Sequence, residues 1–127
     1  MTDETIFFLR VDEVPPSTNT IYRTTGKNGR TRTYTTRSAK EFKQRLNHAA
    51  KNQIKTPTSK PLTVVVLLSF PDRRKRDLDN YAKTILDALN GTVWKDDSQI
   101  QKLIIEKRHT PGNRSTSVIV IQRNEEI

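Results

Sequence analysis

The spacing of apolar positions changes several times along the chain, and each change marks an element. Ile6, Phe7, Phe8, Leu9 and Val11 crowd the segment from Thr5 to Val11, which predicts a buried strand. Pro15-Pro16 ends it, since neither proline can donate a ladder hydrogen bond. Threonine- and tyrosine-rich stretches at 20–25 and 31–36 flank Gly26-Lys27-Asn28-Gly29. Asn-Gly suits a type I′ turn, so a β-hairpin or a flexible basic loop is expected over about 24–37. From Ser38 the spacing becomes helical. Phe42, Leu46, Ala49, Ala50 and Ile54 share one face, while Lys40, Lys43, Arg45 and Lys51 occupy the outer one. Ser38 and Glu41 are spaced as a capping box. Pro57 and Pro61 bracket a short linker.

Leu62 to Phe70 is nearly all apolar and β-branched and reads as a central strand covered on both faces. A second helix is expected from about Asp77 to Leu89, with Asn90-Gly91 as its stop. Leu78, Tyr81, Ala82, Ile85, Leu86 and Leu89 form its apolar stripe; Asp79, Asn80, Lys83 and Asp87 fall opposite, and Asp77 takes the N-cap. Two further strands, Ile100 to Arg108 and Ser117 to Gln122, are joined by the Pro111-Gly112-Asn113 turn, and residues 123–127 form a frayed tail. The expected fold is α/β of the α+β type: one small domain over 1–127, with a mixed β-sheet and two main helices.

Charge narrows the function. In 127 residues, 23 Lys and Arg stand against 14 Asp and Glu, an excess of nine positive charges. That balance points to nucleic acid or an anionic membrane surface. The membrane is the weaker partner: the longest apolar run, around Val64–Leu68, falls far short of the ~20 residues a bilayer requires. The opening Met-Thr-Asp-Glu is not a secretory signal, and no cysteine is present, so disulfide frameworks and thiolate zinc sites are excluded. A cytoplasmic setting, no membrane and no organic cofactor are expected. His48 and His109 are the only histidines, too few for a His-rich metal site.

Against this background Asp77-Leu78-Asp79-Asn80 follows Arg73-Arg74-Lys75-Arg76 directly, and Asp96-Asp97 comes later. Carboxylates repel phosphate, so a purely electrostatic DNA-binding surface has little reason to place them inside its basic patch. A nuclease does, because hard oxygen ligands hold Mg²⁺ where cations have drawn in the phosphodiester. Asp77, Asp79 and Asp97 are the candidate metal ligands, the third reaching the site if the turn after Trp94 folds back toward the second helix. Lys83, one turn after Asp79, is placed to stabilise transition-state charge. A blander reading makes Asp77 an N-cap and Asp79 and Asp87 helix partners of Lys83. It leaves the basic run abutting these aspartates unexplained. An EF-hand fails, because Tyr81 and Ala82 sit where an oxygen ligand and a glycine are needed.

The segments Arg-Arg-Lys-Arg-Asp-Leu-Asp-Asn-Tyr-Ala-Lys, Leu-Asp-Ala-Leu-Asn-Gly and Val-Trp-Lys-Asp-Asp-Ser-Gln-Ile, spanning 73–100, resemble the RusA-type Holliday junction resolvases. Pro15-Pro16-Ser17-Thr18-Asn19 matches that family's opening motif, and the order of elements agrees over nearly the whole chain. The resemblance implies a small α/β domain acting as a homodimer, Mg²⁺ dependence, and paired symmetric nicks in four-way junction DNA during recombination and repair. It also implies cleavage to a 5′-phosphate and a 3′-hydroxyl. Asp77, Asp79 and Asp97 match its catalytic carboxylates and Lys83 its catalytic lysine; Arg76 and Asn80 fall beside the site, and Asp96 matches a flanking acid. Arg73, Arg74, Lys75 and Arg76 are expected to hold the backbone near the cut. Ile104 and Val118 to Ile121 are the expected apolar contributors to a dimer. The rival readings are a non-catalytic basic DNA-binding module and a metal-dependent ribonuclease.

Overall fold

The computed structural model describes residues 2–16, 22–27, 30–35 and 37–124. Strand β1 (Glu4–Val11) opens the chain, followed by β2 (Tyr22–Lys27) and β3 (Arg30–Thr35), helix α1 (Arg37–Gln53) and strand β4 (Leu62–Phe70). Helix α2 (Asp79–Leu89), a short 3₁₀ turn (Asp97–Gln99), β5 (Ile100–His109) and β6 (Ser115–Gln122) complete it. A mixed four-stranded sheet runs β1-β6-β4-β5, and β2 and β3 form a separate antiparallel ribbon. In the ribbon Lys27 pairs with Arg30, a register that leaves two residues for the expected turn; Asn28 and Gly29 themselves lie outside the described residues. The opening Ser17-Thr18-Asn19 and the last residues of the tail, 125–127, also lie outside them.

The parallel pair β4–β5 carries the site. Parallel neighbours cannot be joined by a tight turn, so the chain crosses over through α2, whose apolar stripe packs on the sheet. Tyr81, Ile85, Ala88 and Leu89 of α2 meet Phe42, Leu46 and Ala50 of α1 in one core. Strand residues Phe7, Leu62, Val64, Val66, Leu68, Val118 and Val120 complete that core from the sheet. Trp94, fully buried, closes the bottom of the core after α2 ends at Asn90-Gly91, where Gly91 takes φ 84°. That left-handed conformation is one a side chain resists and glycine adopts freely.

Three sequence expectations change. Strand β4 is central but covered by helices on one face only: its residues alternate between buried and half-buried. The period-2 pattern is hidden in the sequence because Val65 and Leu67, on the open face, are as apolar as Val64 and Val66 on the core face. Val118 and Val120 are core residues, so of the expected dimer contributors on β6 only Ile119 and Ile121 face outward. Helix α1 begins at Arg37, making Ser38 its second residue, and Glu41 pairs with Arg37 at 2.9 Å.

The open face has a graded surface. Phe8, Ile119, Val65 and Ile104 align across all four strands, with Phe8 53% and Ile104 41% exposed. Toward the other end of the strands the cross-strand row becomes polar, with Ser115, Ser69 and Arg108 in register.

Candidate active site

After Phe70 the chain leaves β4 and turns through Pro71-Asp72 before the cationic run. Asp72 organises that run. Its carboxylate takes an ion pair from Arg76 Nη1 at 2.8 Å and accepts the backbone N–H of Arg74 at 3.1 Å. Arg76 also donates to the Asp72 carbonyl at 3.3 Å and lies 4.3 Å over the Phe70 ring, whose edge meets Tyr81 of α2. Lys107 of β5 donates to the Arg76 carbonyl at 3.2 Å. The Arg76 hydrogen bond, with the Arg74 N–H, holds the Asp72 carboxyl below the usual carboxylate range. Arg76 is therefore the inward-facing member of the run, its side chain only 13% exposed. Arg73, Arg74 and Lys75 are exposed.

Helix α2 starts later than the sequence suggests. Asp79 is its first residue, Leu78 takes the N-cap position, and no side-chain cap is formed. Asp77 is thus not a capping residue. Its carbonyl accepts the Asn80 N–H at 3.1 Å while its side chain stays exposed beside the basic run. The capping reading of Asp77 is thereby removed. Asp79 lies exposed in the first turn, where the helix dipole favours a negative charge, and Lys83 follows one turn later. Asp87 ion-pairs with Lys43 of α1 at 3.7 Å, tying the two helices together.

Asp97 stands at the far end of this helix. The strand pair fixes the geometry: Leu62, first in β4, is in register with Ile100, first in β5, so Asp97 precedes the Leu62 end of the sheet. Asp77 and Asp79 follow the Phe70 end. The 11 residues of α2 run back between them, a rise of ~16 Å at ~1.5 Å per residue. Gln99 anchors the turn at the Leu62 end by donating to the carbonyls of Thr58 and Lys60. Trp94 Nε1 donates to Asp97 Oδ1 at 2.7 Å, orienting that carboxylate from the core. Asp96 is the cap of the turn. Its carboxylate accepts from Ser98 N–H at 3.0 Å; the Ser98 side chain first and then that N–H hold its pKa low, and Gln99 Oε1 accepts from Asp96 N–H at 2.8 Å.

The structure therefore brings Asp77 and Asp79 together beside the cationic loop and does not bring Asp97 to them within one chain. Among the described residues no group of three acidic or histidine side chains is placed to hold a metal ion. Two carboxylates with water and a substrate phosphate suit a hard cation such as Mg²⁺, so the Asp77–Asp79 pair fits half of such a site. Sequence reasoning missed Asp72 and Lys107. Asp72 sits four residues before Arg76 in a segment with no periodicity. The Asp96-x-x-Gln99 spacing of a capping box is legible in the sequence, but the acidic motif that overlaps it masks the signal.

The model of the family described as endodeoxyribonuclease RusA matches residues 13–121, a window that takes in both ends of α2 and every carboxylate just described. The chain belongs to the RusA family of endodeoxyribonucleases. Curated relatives span it almost completely. The crossover junction endodeoxyribonuclease RusA of Escherichia coli (strain K12) is 31% identical over 114 residues, covering 87% of this chain and 92% of that protein. The protein of the same name from Shigella sonnei (strain Ss046) matches at the same identity and coverage, and that of Enterobacteria phage 82 is 30% identical. Family membership makes the chain an endonuclease and sets aside the reading of a DNA-binding module without chemistry. Among the described residues no helix is long and apolar enough to cross a membrane.

Proposed function

We propose that the chain is a Mg²⁺-dependent, structure-selective endonuclease that resolves four-way DNA junctions by paired symmetric nicks. It does so as a cytoplasmic homodimer serving recombination and repair. One observation carries this reading: Asp77 and Asp79 abut the cationic loop at one end of α2, while Asp97 sits at the other. Each chain thus offers two halves of a site that it does not itself close. Strand β5 is an edge, paired with β4 alone, and exposes Leu103 and Ile104 at 40% and 41%. A twofold axis near these residues and perpendicular to β5 would set two β5 strands antiparallel. The Ile100 end of one chain then meets the His109 end of the other, where Lys107 holds the basic loop. Asp97 of one copy thereby approaches Asp77 and Asp79 of the second, and two sites form, related by the axis.

In that assembly the three carboxylates would hold Mg²⁺, which when bound supplies Lewis acidity at the phosphate and a more acidic water. The remaining work belongs to the chain. Arg73, Arg74 and Lys75 draw in the phosphodiester, and Asn80 stands beside it. The Asp72–Arg76–Phe70 contacts hold that loop in place, and Lys83 offsets the negative charge that grows on the phosphate oxygens. Cleavage leaves a 5′-phosphate and a 3′-hydroxyl.

End-labelled synthetic four-way junctions, with and without Mg²⁺, beside duplex DNA and RNA junctions, test the activity. Paired nicks in the DNA junction alone, and only with Mg²⁺, are expected; preferential cutting of RNA would favour the ribonuclease reading. Mixing two inactive variants tests the shared site. Asp79→Asn and Asp97→Asn, exchanged into one dimer, leave one of the two sites with all its carboxylates, so nicking returns to one strand. Mixing Asp77→Asn with Asp79→Asn restores nothing. If the first mixture is also dead, the two halves do not meet across a dimer.

A further inference from the structure

A polar cavity of about 600 Å³ opens on the uncovered face of the sheet, at its Phe70 end and on the β1 side of β4. Its walls come from three strands and a turn: Arg10 of β1, Ser69 of β4, Ser115 of β6, and Thr110 and Arg114 from the β5–β6 connection. No large apolar or aromatic side chain lines it, so it lacks the surface that holds a base or a drug-sized ligand. Apart from the carboxylate of Asp12 and the amide of Asn113, its polar side chains are cations and hydroxyls, the set that contacts phosphate. Two N–H groups of the turn are already engaged, Thr110 N–H by the Phe70 carbonyl and Asn113 N–H by that of Thr110. The hydroxyls of Ser69, Thr110 and Ser115 and the guanidinium groups of Arg10 and Arg114 belong to the residues that line the opening. The one acid, Asp12, meets Arg10 at 3.6 Å with both side chains mostly exposed, a contact weak enough for phosphate to replace.

Strand pairing relates the cavity to the basic loop. Ser69 is in register with Arg108, and Arg108 lines a smaller cavity of about 240 Å³ together with Arg73, Arg74 and His109. Arg10 on β1 and Arg108 on β5 lie at opposite edges of the sheet. Three strand spacings of ~4.8 Å separate those edges, or ~14 Å. A DNA strand rises ~3.4 Å per nucleotide, so the track matches about four nucleotides of backbone.

We infer that Arg10 and Arg114, with Ser69, Thr110 and Ser115, form a second phosphodiester-binding site, which grips the backbone of a DNA arm beyond the cut. The inference rests on the nuclease reading above. With β5 at the dimer axis, β1 is the outermost strand, so the cavity lies where an arm leaves the protein. Contacts of this kind fix register and carry no base sequence.

The test is a salt titration of binding to a synthetic four-way junction in EDTA, which prevents cleavage. Arg10→Ala/Arg114→Ala should lower the slope of log K against log salt by about 0.9 for each phosphate no longer neutralised, hence about two per chain. Arg10→Lys/Arg114→Lys should keep most of it. Lys40→Ala/Lys51→Ala removes the same charge from the exposed face of α1 and should leave the slope near wild type. An unchanged slope in the alanine pair, or an equal fall in the α1 control, overturns the inference. Should the double variant fail to fold, Arg114→Ala alone must lower the slope by about one unit, and an unchanged slope there overturns it equally. A wild-type protein that neither binds nor nicks the junction refutes the nuclease reading instead, so the two failures are distinct.

Discussion

Asp97 and Asp96 are neighbours with different tasks. Asp96 spends its carboxylate on the Ser98 N–H and closes the turn, whereas Asp97 is held by Trp94 with its second oxygen available. Asp97→Asn should abolish nicking with junction binding intact or slightly tighter, because removing a negative charge relieves repulsion of phosphate while removing a ligand. Asp77→Asn and Asp79→Asn should behave alike. Asp96→Ala should slow nicking only partly, through a loosened turn. Gel cleavage beside a binding titration of the same variants separates these outcomes. Asp72 makes a pH prediction. Its carboxyl titrates below the usual range, so its contribution to loop order is complete above the ordinary aspartate value of ~3.9 and is lost only as pH falls through the depressed one. Chemical shifts of the Arg74 and Arg76 amides should therefore stay native at pH 4, and in Asp72→Asn they should be displaced at neutral pH. The aspartates were legible because charge of the wrong sign stood inside a basic run. Asp72 was not, since a carboxylate at the head of a proline-led loop carries no spacing signal.

The same contrast holds for elements. Helix α2 was plain from its stripe, and its end at Asn90-Gly91 was legible because only glycine tolerates the conformation there. Its start lies two residues beyond the expected one: an aspartate before an apolar run looks like a cap, yet Asp77 is left facing solvent. Where the turn after Trp94 would land was beyond reach, since pairing of β5 with β4 rather than with its sequence neighbour β6 decides it. The apolar stripe sets the helix angle, and so the aim of Asp79. Ile85→Ala, at a fully buried position, should cost about 2–5 kcal/mol in urea denaturation and slow nicking together. Asp87→Asn, which cuts only the half-exposed tie to Lys43, should move neither appreciably.

At the scale of the molecule the excess of nine positive charges would double in the proposed dimer, so apolar burial would have to outweigh repulsion between like surfaces. Composition announced the nucleic-acid partner but not the edge strand at which the proposed dimer would form. A dimer at micromolar concentration is expected by sedimentation, with a cruciform plasmid linearised rather than singly nicked. Leu103→Lys/Ile104→Lys should yield monomers that fold, bind duplex and do not cut. Topology has one more consequence, for synthesis. The first strand, β1, has the last, β6, as its partner, with Glu4 opposite Gln122, and β4 needs β6 on one side as well. Neither can settle before the ribosome has released residue 122. A chain made only as far as β5 carries its cationic loop and all three candidate carboxylates on an unclosed sheet, so the frame that aims them waits for β6.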